Sequence, residues 1–200
     1  MSEAFGQAVA RHVDFASLAR ALGGRKRQTY RIPLFRESAV LVPIVVEPGL
    51  PDRLILTQRT ADLRSHAGQI SFPGGKRDDA DHDFEATAVR ETTEELGIPR
   101  SAVSVVGLLD DLPTPTRYVI TPVVARLEGP LSLHPSSGEV AEVFYADIAG
   151  LREVYKDGGF REFLGFSYAM HEYHWAGRRI WGATARIIWQ LLSLLPPATE

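Results

Sequence analysis

Three glutamates stand close together in one short segment and are the residues with the clearest chemical potential. Glu91, Glu94 and Glu95 occupy positions i, i+3 and i+4 of residues 83–96, whose apolar residues recur at helical spacing. At about 100° per residue, their carboxylates fall within an arc of about 100° centred opposite the apolar stripe. The pattern predicts a helix that projects three carboxylates from one face.

Two interpretations of this acidic face stay open. Surface helices often carry glutamates, so the face could simply be solvated. Two observations favour a bound cation: the acids crowd the C-terminal half of the helix, where the macrodipole disfavours negative charge, and no lysine follows any of them at i+4. Carboxylate oxygens at this density suit a hard cation such as Mg²⁺ or Mn²⁺, whose usual role is to hold phosphates.

A glycine pair precedes the predicted helix. Gly74 and Gly75 follow a short apolar strand and a proline in the sequence ISFPGGK. A Pro-Gly-Gly turn is often no more than a chain reversal. Because glycine lets a ligand approach the backbone, the pair beside a cation site predicts that a substrate lies against Gly74 and Gly75.

Together these residues resemble the signature of a known family. Their spacing is similar to the Nudix box, G-x5-E-x7-R-E-U-x-E-E-x-G-U, through Gly75, Arg90, Glu91, Glu94, Glu95, Gly97 and Ile98. The stretch ILTQRTADLRSHAGQISFPGG, residues 55–75, resembles the signature of the coenzyme A pyrophosphatase branch, L-L-T-x-R-S/A-x3-R-x3-G-x3-F-P-G-G. The matching positions are Thr57, Arg59, Arg64, Gly68 and Phe72 to Gly75.

The start of the box departs from the family pattern. Counting back from Arg90, the box expects a glutamate at position 82 and a glycine at position 76, where this chain has His82 and Lys76. Gly75 lies one residue too far upstream, so the loop holds one extra residue. The loop is instead rich in aspartate, at Asp78, Asp79, Asp81 and Asp83. We therefore assign the first box glutamate to no residue, with Glu85 as the one candidate.

The resemblance implies a fold and a reaction class. The fold is α+β, a Nudix fold with a mixed β-sheet sandwiched between α-helices (α/β/α). By match to the box, Glu91, Glu94 and Glu95 are expected to ligate Mg²⁺ or Mn²⁺. The cation would neutralise the diphosphate oxygens and lower the pKa of the water that attacks phosphorus.

Further catalytic roles follow from the same resemblance. Arg90 is expected to orient the glutamates, since a guanidinium fork matches carboxylate geometry. The general base varies across the family, so it is either Glu91 or a glutamate from the distant segment GEVAEVF, where Glu139 and Glu142 are candidates. The predicted catalytic set is Glu91, Glu94, Glu95, Arg90 and Glu139.

The branch signature implies coenzyme A or an acyl derivative as the substrate, cleaved to adenosine 3′,5′-bisphosphate and (acyl-)4′-phosphopantetheine. Charge for the 3′-phosphate is expected from Arg59, Arg64, Lys76 and Arg77, and Gly74 and Gly75 complete the predicted substrate contacts. Two alternatives stay open. The first is a Nudix hydrolase of ADP-ribose, NADH, dinucleoside polyphosphates or a dNTP. The second is a Nudix-fold module that binds a nucleotide without cleaving it, and the intact glutamates count against it.

The rest of the chain is predicted to hold this site in place. We expect one Nudix domain over residues 1–200, with a helical leader at 1–30, the box at 74–98 and a C-terminal helix at 179–195. Apolar runs closed by Pro-Gly or proline-rich loops predict strands between these helices. Strands outnumber helices, which favours the α+β class.

Composition narrows the class of partner. Of the 200 residues, 44% are hydrophobic and 24% are charged, the profile of an ordinary globular domain. The net charge of −3 provides no basic field, so we expect no nucleic-acid or membrane partner. The chain has no cysteine, which excludes disulfides and thiolate metal sites. No segment is typical of a signal peptide or a membrane span, so a cytoplasmic location is expected; the apolar termini leave a homodimer open.

Overall fold

The structure is a computed structural model that describes residues 12–60, 68–163 and 165–196. Within these ranges the helices are α1 (Phe15–Gly24), α2 (Phe84–Leu96), α3 (Ile148–Glu153) and α4 (Gly182–Leu194). The strands are β1 (Arg36–Val46), β2 (Arg53–Arg59), β3 (Ile70–Ser71), β4 (Gly74–Lys76), β5 (Ser104–Leu108), β6 (Leu112–Pro113), β7 (Tyr118–Glu128), β8 (Val140–Asp147), β9 (Tyr155–Phe163), β10 (Phe166–Trp175) and β11 (Arg178–Trp181).

The main sheet is mixed, with β1 and β7 as its central parallel pair. These two strands run in register from Arg36 opposite Tyr118 to Val46 opposite Glu128. The strand order is β3-β2-β1-β7-β5, with β4 added on β1, β6 on β7 and β8 on β2, all by antiparallel pairing. A second, antiparallel sheet has the order β11-β10-β9.

Helices cover both faces of the main sheet. On one face, Leu18 and Leu22 of α1 and Ile187 and Leu191 of α4 share a core with alternate residues of the central strands. On the other face, α2 packs Ala88, Val89 and Leu96 against the remaining alternate residues. Residues 41–45 of β1 are therefore all buried, as expected for a central strand covered on both sides. The predicted α+β fold with an α/β/α sandwich is confirmed.

Helix α2 begins and ends where the sequence predicts. The side chain of Asp83 caps the helix by accepting a hydrogen bond from the Ala86 N–H (2.7 Å). At the other end Gly97 adopts a left-handed conformation (φ 70°), and its N–H donates to the Thr93 carbonyl (2.9 Å). These two caps fix the rotation and length of the helix that carries the glutamates.

Two predicted boundaries and one predicted turn differ from the structure. The C-terminal helix expected at 179–195 begins at Gly182, because residues 178–181 form β11 and pair with β10, Trp175 opposite Arg178. Of the leader predicted at 1–30, residues 1–11 lie outside the described ranges. The one helix among residues 12–30 is α1. The glycine turn is a strand, β4, which pairs with β1. None of the helices in the described part of the chain has the length and hydropathy to span a bilayer.

Candidate active site

The glutamates of α2 differ in exposure, which the helical projection did not predict. Glu95 is buried, with 5% of its surface exposed, and its Oε2 accepts a hydrogen bond from the Gly74 N–H (3.2 Å). Glu91 is half-buried, and only Glu94 is exposed. The prediction that all three point away from the core is therefore wrong for Glu95. The reason is β4, because its glycines offer no side chains and leave room for carboxylates between helix and strand.

Both glycines of β4 are required by close approaches, Gly75 by that of Glu91 and Gly74 by that of the neighbouring strand β1. A Cβ on Gly75 would lie 2.5 Å from the carboxyl carbon of Glu91. A Cβ on Gly74, whose φ is 151°, would lie 2.4 Å from the Ala39 carbonyl oxygen. The pair thus forms a backbone cradle against the carboxylates, consistent with the expectation that backbone, not side chain, lines the site here.

Arg90 is clamped by an aspartate that the sequence reading left unassigned. Its Nε and Nη2 donate to Oδ1 and Oδ2 of Asp81 at 3.0 and 2.9 Å, a bidentate pair. Its Nη1 donates to Glu91 Oε1 (3.0 Å) and to Glu94 Oε2 (3.2 Å). These hydrogen bonds hold the pKa of Asp81 far below its ordinary value and raise that of Arg90. The guanidinium thus connects the loop to two of the three glutamates.

Asp81 is buried and is itself held by the loop. The Asp78 N–H donates to Asp81 Oδ2 at 2.9 Å. The box pattern expects its first glutamate at position 82, so the acid that holds Arg90 lies one residue from that position. Glu85 lies in the first turn of α2 and makes no hydrogen bond or ion pair with Arg90. The aspartate run was the signal in the sequence, but it does not tell which aspartate turns inward.

Burial and neighbouring charge raise the pKa of the glutamates. Burial raises the pKa of Glu95 to about 7, opposed by the Gly74 N–H and the charge of Arg59 and reinforced by Glu139 and Glu91. Burial also raises the pKa of Glu91, opposed by Arg90 and reinforced by Glu94 and Glu139. Glu91, Glu95 and Glu139 therefore form one electrostatic cluster, drawn from two distant segments of the chain.

The structure separates the two candidates for a distant base. Glu139 precedes β8 in a loop docked on α2, where the Ser136 N–H donates to the Glu95 carbonyl (2.8 Å). Glu142 pairs opposite Gln58 and points to the other face of the sheet, where its carboxylate is held by Arg178. Of the two, only Glu139 shares the glutamate cluster.

The predicted substrate residues are spread over a wider area. Lys76 is exposed and lines a cavity of about 390 Å³ together with Arg36, Glu37, Arg77, Asp78 and Asp79. Arg77 is engaged, since its Nη1 donates to Glu37 Oε2 (2.8 Å) and its guanidinium lies 5.1 Å from the Phe84 ring centroid. Arg59 lies on β2 near Glu95, and Arg64 lies outside the described residues.

Comparison with known proteins identifies the family. The model of the NUDIX domain matches residues 35–163, which include helix α2 with its glutamates, strand β4 and Glu139. The chain belongs to the Nudix family. It is 41% identical over 160 residues to a protein of Photorhabdus laumondii named uncharacterized Nudix hydrolase NudL, covering 78% of this chain and 83% of the relative. A Cronobacter sakazakii protein of the same name is 40% identical over 166 residues, covering 78% and 81%.

A solved structure supports the Nudix fold. The crystal structure of the Nudix hydrolase RenU from M. smegmatis superposes with a TM-score of 0.50 at 22% identity, covering 59% of this chain and 74% of that chain. At this identity the likeness extends to the fold alone. The substrate of this Nudix protein has to be argued from its own residues.

Nudix hydrolases generally use divalent metals, which bind to clustered oxygen ligands. Within residues 12–60, 68–163 and 165–196, no three acidic or histidine side chains are already arranged as a metal centre. Glu91 and Glu94 turn toward Arg90, and Glu95 toward Gly74. The donor chemistry nevertheless fits, because clustered carboxylate oxygens that raise one another's pKa carry excess negative charge that a hard cation offsets. The ligand set Glu91, Glu94 and Glu95 stays a prediction.

Proposed function

We propose that this Nudix hydrolase cleaves the diphosphate of coenzyme A, or of an acyl derivative, to adenosine 3′,5′-bisphosphate and (acyl-)4′-phosphopantetheine. The observation that carries the reaction class is the cluster of Glu91, Glu95 and Glu139 beside the glycine strand β4. A buried carboxylate with a pKa raised to about 7, next to two more carboxylates, is a site whose negative charge a bound cation offsets, and that cation in turn attracts an anionic substrate.

The protein supplies the cation site and its orientation. Glu91, Glu94 and Glu95 would hold Mg²⁺ or Mn²⁺, and Arg90 keeps Glu91 and Glu94 in position through its pair with Asp81. When bound, the cation neutralises the diphosphate oxygens and lowers the pKa of the attacking water. The backbone of Gly74 and Gly75 lets the diphosphate approach without a side chain in its path.

Glu139 is the general base in this scheme. It is exposed, so its carboxylate is accessible to solvent water, while its charge acts on both Glu91 and Glu95. The attacking water transfers a proton to Glu139, its oxygen bonds to one phosphorus, and the bond from that phosphorus to the bridging oxygen breaks. The leaving phosphate departs with the bridging oxygen.

Two features support coenzyme A over other diphosphates. Described parts of the branch signature lie beside the buried glutamate: Thr57 Oγ1 donates to the Ser71 carbonyl (3.2 Å), and the Gly74 N–H donates to Glu95 Oε2 (3.2 Å). Beyond Gly75, Lys76 and Arg36 line the cavity, and neither pairs with a carboxylate among the described residues. Two such cations suit the 3′-phosphate that distinguishes coenzyme A from ADP-ribose.

A substrate panel tests the proposal. The purified protein is incubated with Mg²⁺ and, separately, coenzyme A, 3′-dephospho-coenzyme A, ADP-ribose, NADH, diadenosine polyphosphates and dNTPs, and the products are identified by mass. We expect coenzyme A to have the highest kcat/KM. Lys76→Gln should lower kcat/KM for coenzyme A about tenfold while leaving dephospho-coenzyme A within about twofold.

Other outcomes of the panel contradict different parts of the proposal. A large preference for ADP-ribose would reject coenzyme A and keep the reaction class. Binding of nucleotides without turnover of any of them would identify a binding module instead. Products other than adenosine 3′,5′-bisphosphate and phosphopantetheine would place the cleaved bond elsewhere.

A further inference from the structure

Arg59 is unusual among the arginines with a poorly satisfied guanidinium. Four arginines keep a buried Nε without a hydrogen-bond partner in the described part of the chain: Arg25, Arg53, Arg59 and Arg126. Three of these pair a terminal nitrogen with a carboxylate, of Asp110, Glu47 and Glu128 respectively. Arg59 has no ion pair and no side-chain hydrogen bond with any described residue. A half-buried cation with unused donors is costly unless an anion is bound.

The direction of Arg59 follows from strand alternation. Ile55 of β2 packs in the core beneath α2, and residues 57 and 59 share its face of the strand. Arg59 pairs opposite Val140, which belongs to the same core. Its side chain therefore projects on the face that carries the glutamates of α2, and its partner Val140 directly follows Glu139 in the sequence.

The loop that carries Glu139 joins the end of β2 to helix α2. The Thr60 N–H, next to Arg59, donates to the Glu139 carbonyl (3.1 Å), and the Ser136 N–H donates to the Glu95 carbonyl (2.8 Å). Yet no Arg59 nitrogen lies within 4.0 Å of a carboxylate oxygen in the described residues, unlike the other three arginines. The guanidinium thus stands beside the carboxylate cluster with its donors free for a third group.

We infer that Arg59 is a catalytic residue whose guanidinium binds the non-bridging oxygens of the substrate diphosphate at the phosphorus that reacts. This inference rests on the proposed reaction class but not on coenzyme A as the substrate. A guanidinium fork can bind two phosphate oxygens at once and stabilises the charge that develops on them. An arginine in this role contributes roughly 10³–10⁵ in kcat in other phosphoryl-transfer enzymes.

The inference replaces the expectation that Arg59 reads the 3′-phosphate. The 3′-phosphate is carried by the ribose, whereas the bond that breaks lies between the two phosphates held at the glutamates. Arg59 lies on the sheet face that carries the glutamates, and Lys76 lines the neighbouring cavity. In this scheme Arg59 binds the diphosphate that reacts, and Lys76 binds the 3′-phosphate that distinguishes coenzyme A from ADP-ribose.

Arg53 offers a matched control on the same strand. It lies on the same face, is also half-buried and also has an unpartnered Nε. Its Nη2, however, donates to Glu47 Oε2 (2.7 Å), and its guanidinium lies 4.5 Å from the Tyr145 ring centroid. Arg53→Gln therefore reports the cost of removing a half-buried guanidinium that has no substrate role.

The test measures kcat and KM for Arg59→Gln, Arg59→Lys and Arg53→Gln with coenzyme A, 3′-dephospho-coenzyme A and ADP-ribose at saturating Mg²⁺. For Arg59→Gln we expect kcat to fall at least about 100-fold by the same factor on each substrate that the wild type cleaves. Arg59→Lys should recover at most about tenfold, because an ammonium is a point charge rather than a fork. Arg53→Gln should keep kcat within about twofold.

Binding supplies a readout that does not depend on turnover. Calorimetry with α,β-methylene-ADP should show at least about a tenfold weaker affinity for Arg59→Gln, while Mn²⁺ affinity stays within about twofold of the wild type. A loss of activity confined to coenzyme A would mean that Arg59 binds the 3′-phosphate, and it would overturn the inference. Unchanged kcat and analogue affinity would also overturn it. If the wild type cleaves no diphosphate, the proposed function fails and analogue binding still decides the role of Arg59.

Discussion

Helices α2 and α4 have the same length, 13 residues, and pack on opposite faces of one sheet, yet they bury different chemistry. Helix α4 turns mainly aliphatic side chains inward, among them Ile187, Ile188 and Leu191. Helix α2 buries a carboxylate, Glu95, and two threonines. Helix α4 therefore contributes mainly apolar packing, whereas α2 buries charged and polar side chains in place of part of that packing.

The two helices are also stabilised at different places. Helix α2 has a side-chain cap at Asp83 and a left-handed glycine at Gly97, whereas α4 has no side-chain hydrogen bond at its N-cap, Trp181. Capping contributes about 1 kcal/mol, and each buried leucine or isoleucine contributes about 1.5–3 kcal/mol. Strong ends thus offset part of the desolvation cost of Glu95 in α2, and apolar burial makes caps dispensable in α4.

The largest expected effect is a loss of activity when a glutamate of α2 is replaced while the helix stays folded. Glu95→Gln keeps the shape of the side chain and removes its charge. We expect kcat to fall at least about 1,000-fold, because the cation loses a ligand and with it several kcal/mol of transition-state stabilisation. The midpoint of thermal unfolding in EDTA at pH 8 should stay the same or rise, since the burial of a charge is relieved. Full activity in a folded variant would remove Glu95 from the site.

In α4 we expect a substitution to lower stability and to leave activity unchanged. Leu191→Ala removes a fully buried side chain from the core and should lower the free energy of unfolding by about 2–5 kcal/mol, measured with urea. Below its unfolding transition the variant should keep the wild-type kcat. Ser193→Ala, at an exposed position of the same helix, should change stability by less than about 0.5 kcal/mol. A loss of kcat in folded Leu191→Ala would mean that α4 also shapes the site.

The contrast between these helices explains what the sequence could predict. Helix α2 was predicted from its periodicity over residues 83–96, and its start and end lie where that pattern places them. The glutamates were found because the motif fixes their spacing along one helix. Their exposure could not be read from a helical projection, because it depends on what packs opposite. Here that partner is the side-chain-free strand β4, read from sequence as a turn.

Long-range contacts set the limit for the rest of the site. Asp81 was not singled out, because four aspartates share the loop and only the fold turns one of them toward Arg90. Glu139 and Glu142 could not be separated from sequence, since a bulge in β8 decides which of them faces α2. Contacts between residues distant in sequence determine which aspartate reaches Arg90 and which glutamate faces α2. No local sequence pattern predicts such contacts.

Stability against pH should distinguish the two helices again. In EDTA the folded-state pKa of Glu95 is about 7, against an ordinary value of 4.5, so the folded protein holds this proton more tightly than the unfolded chain. The stabilisation is fully present below pH 4.5 and is lost as pH rises through 7. Between pH 5 and 8 we expect the free energy of unfolding to fall by about 2–3 kcal/mol more in the wild type than in Glu95→Gln.

The matched measurement uses urea unfolding at four pH values for wild type, Glu95→Gln and Leu191→Ala. Leu191→Ala should run parallel to the wild type, because it removes no titratable group. Added Mg²⁺ should restore stability to the wild type at pH 8, where Glu95 is ionised and able to bind it. Parallel profiles for wild type and Glu95→Gln would show that the buried carboxylate keeps its ordinary pKa.

The smallest expected effect sharpens the role of the loop that supports α2. Asp81→Asn keeps the size of the side chain and breaks the bidentate pair with Arg90, freeing the guanidinium from the loop. We expect kcat to fall about 10–100-fold with KM within about threefold, since supporting residues of metal sites act on ligand orientation. Asp79→Asn, an exposed neighbour whose carboxylate pairs with no arginine in the described residues, is the control. Asp81→Glu should recover part of the loss, because a longer acid can still reach Arg90; equal losses in Asn and Glu variants would instead point to a collapsed loop.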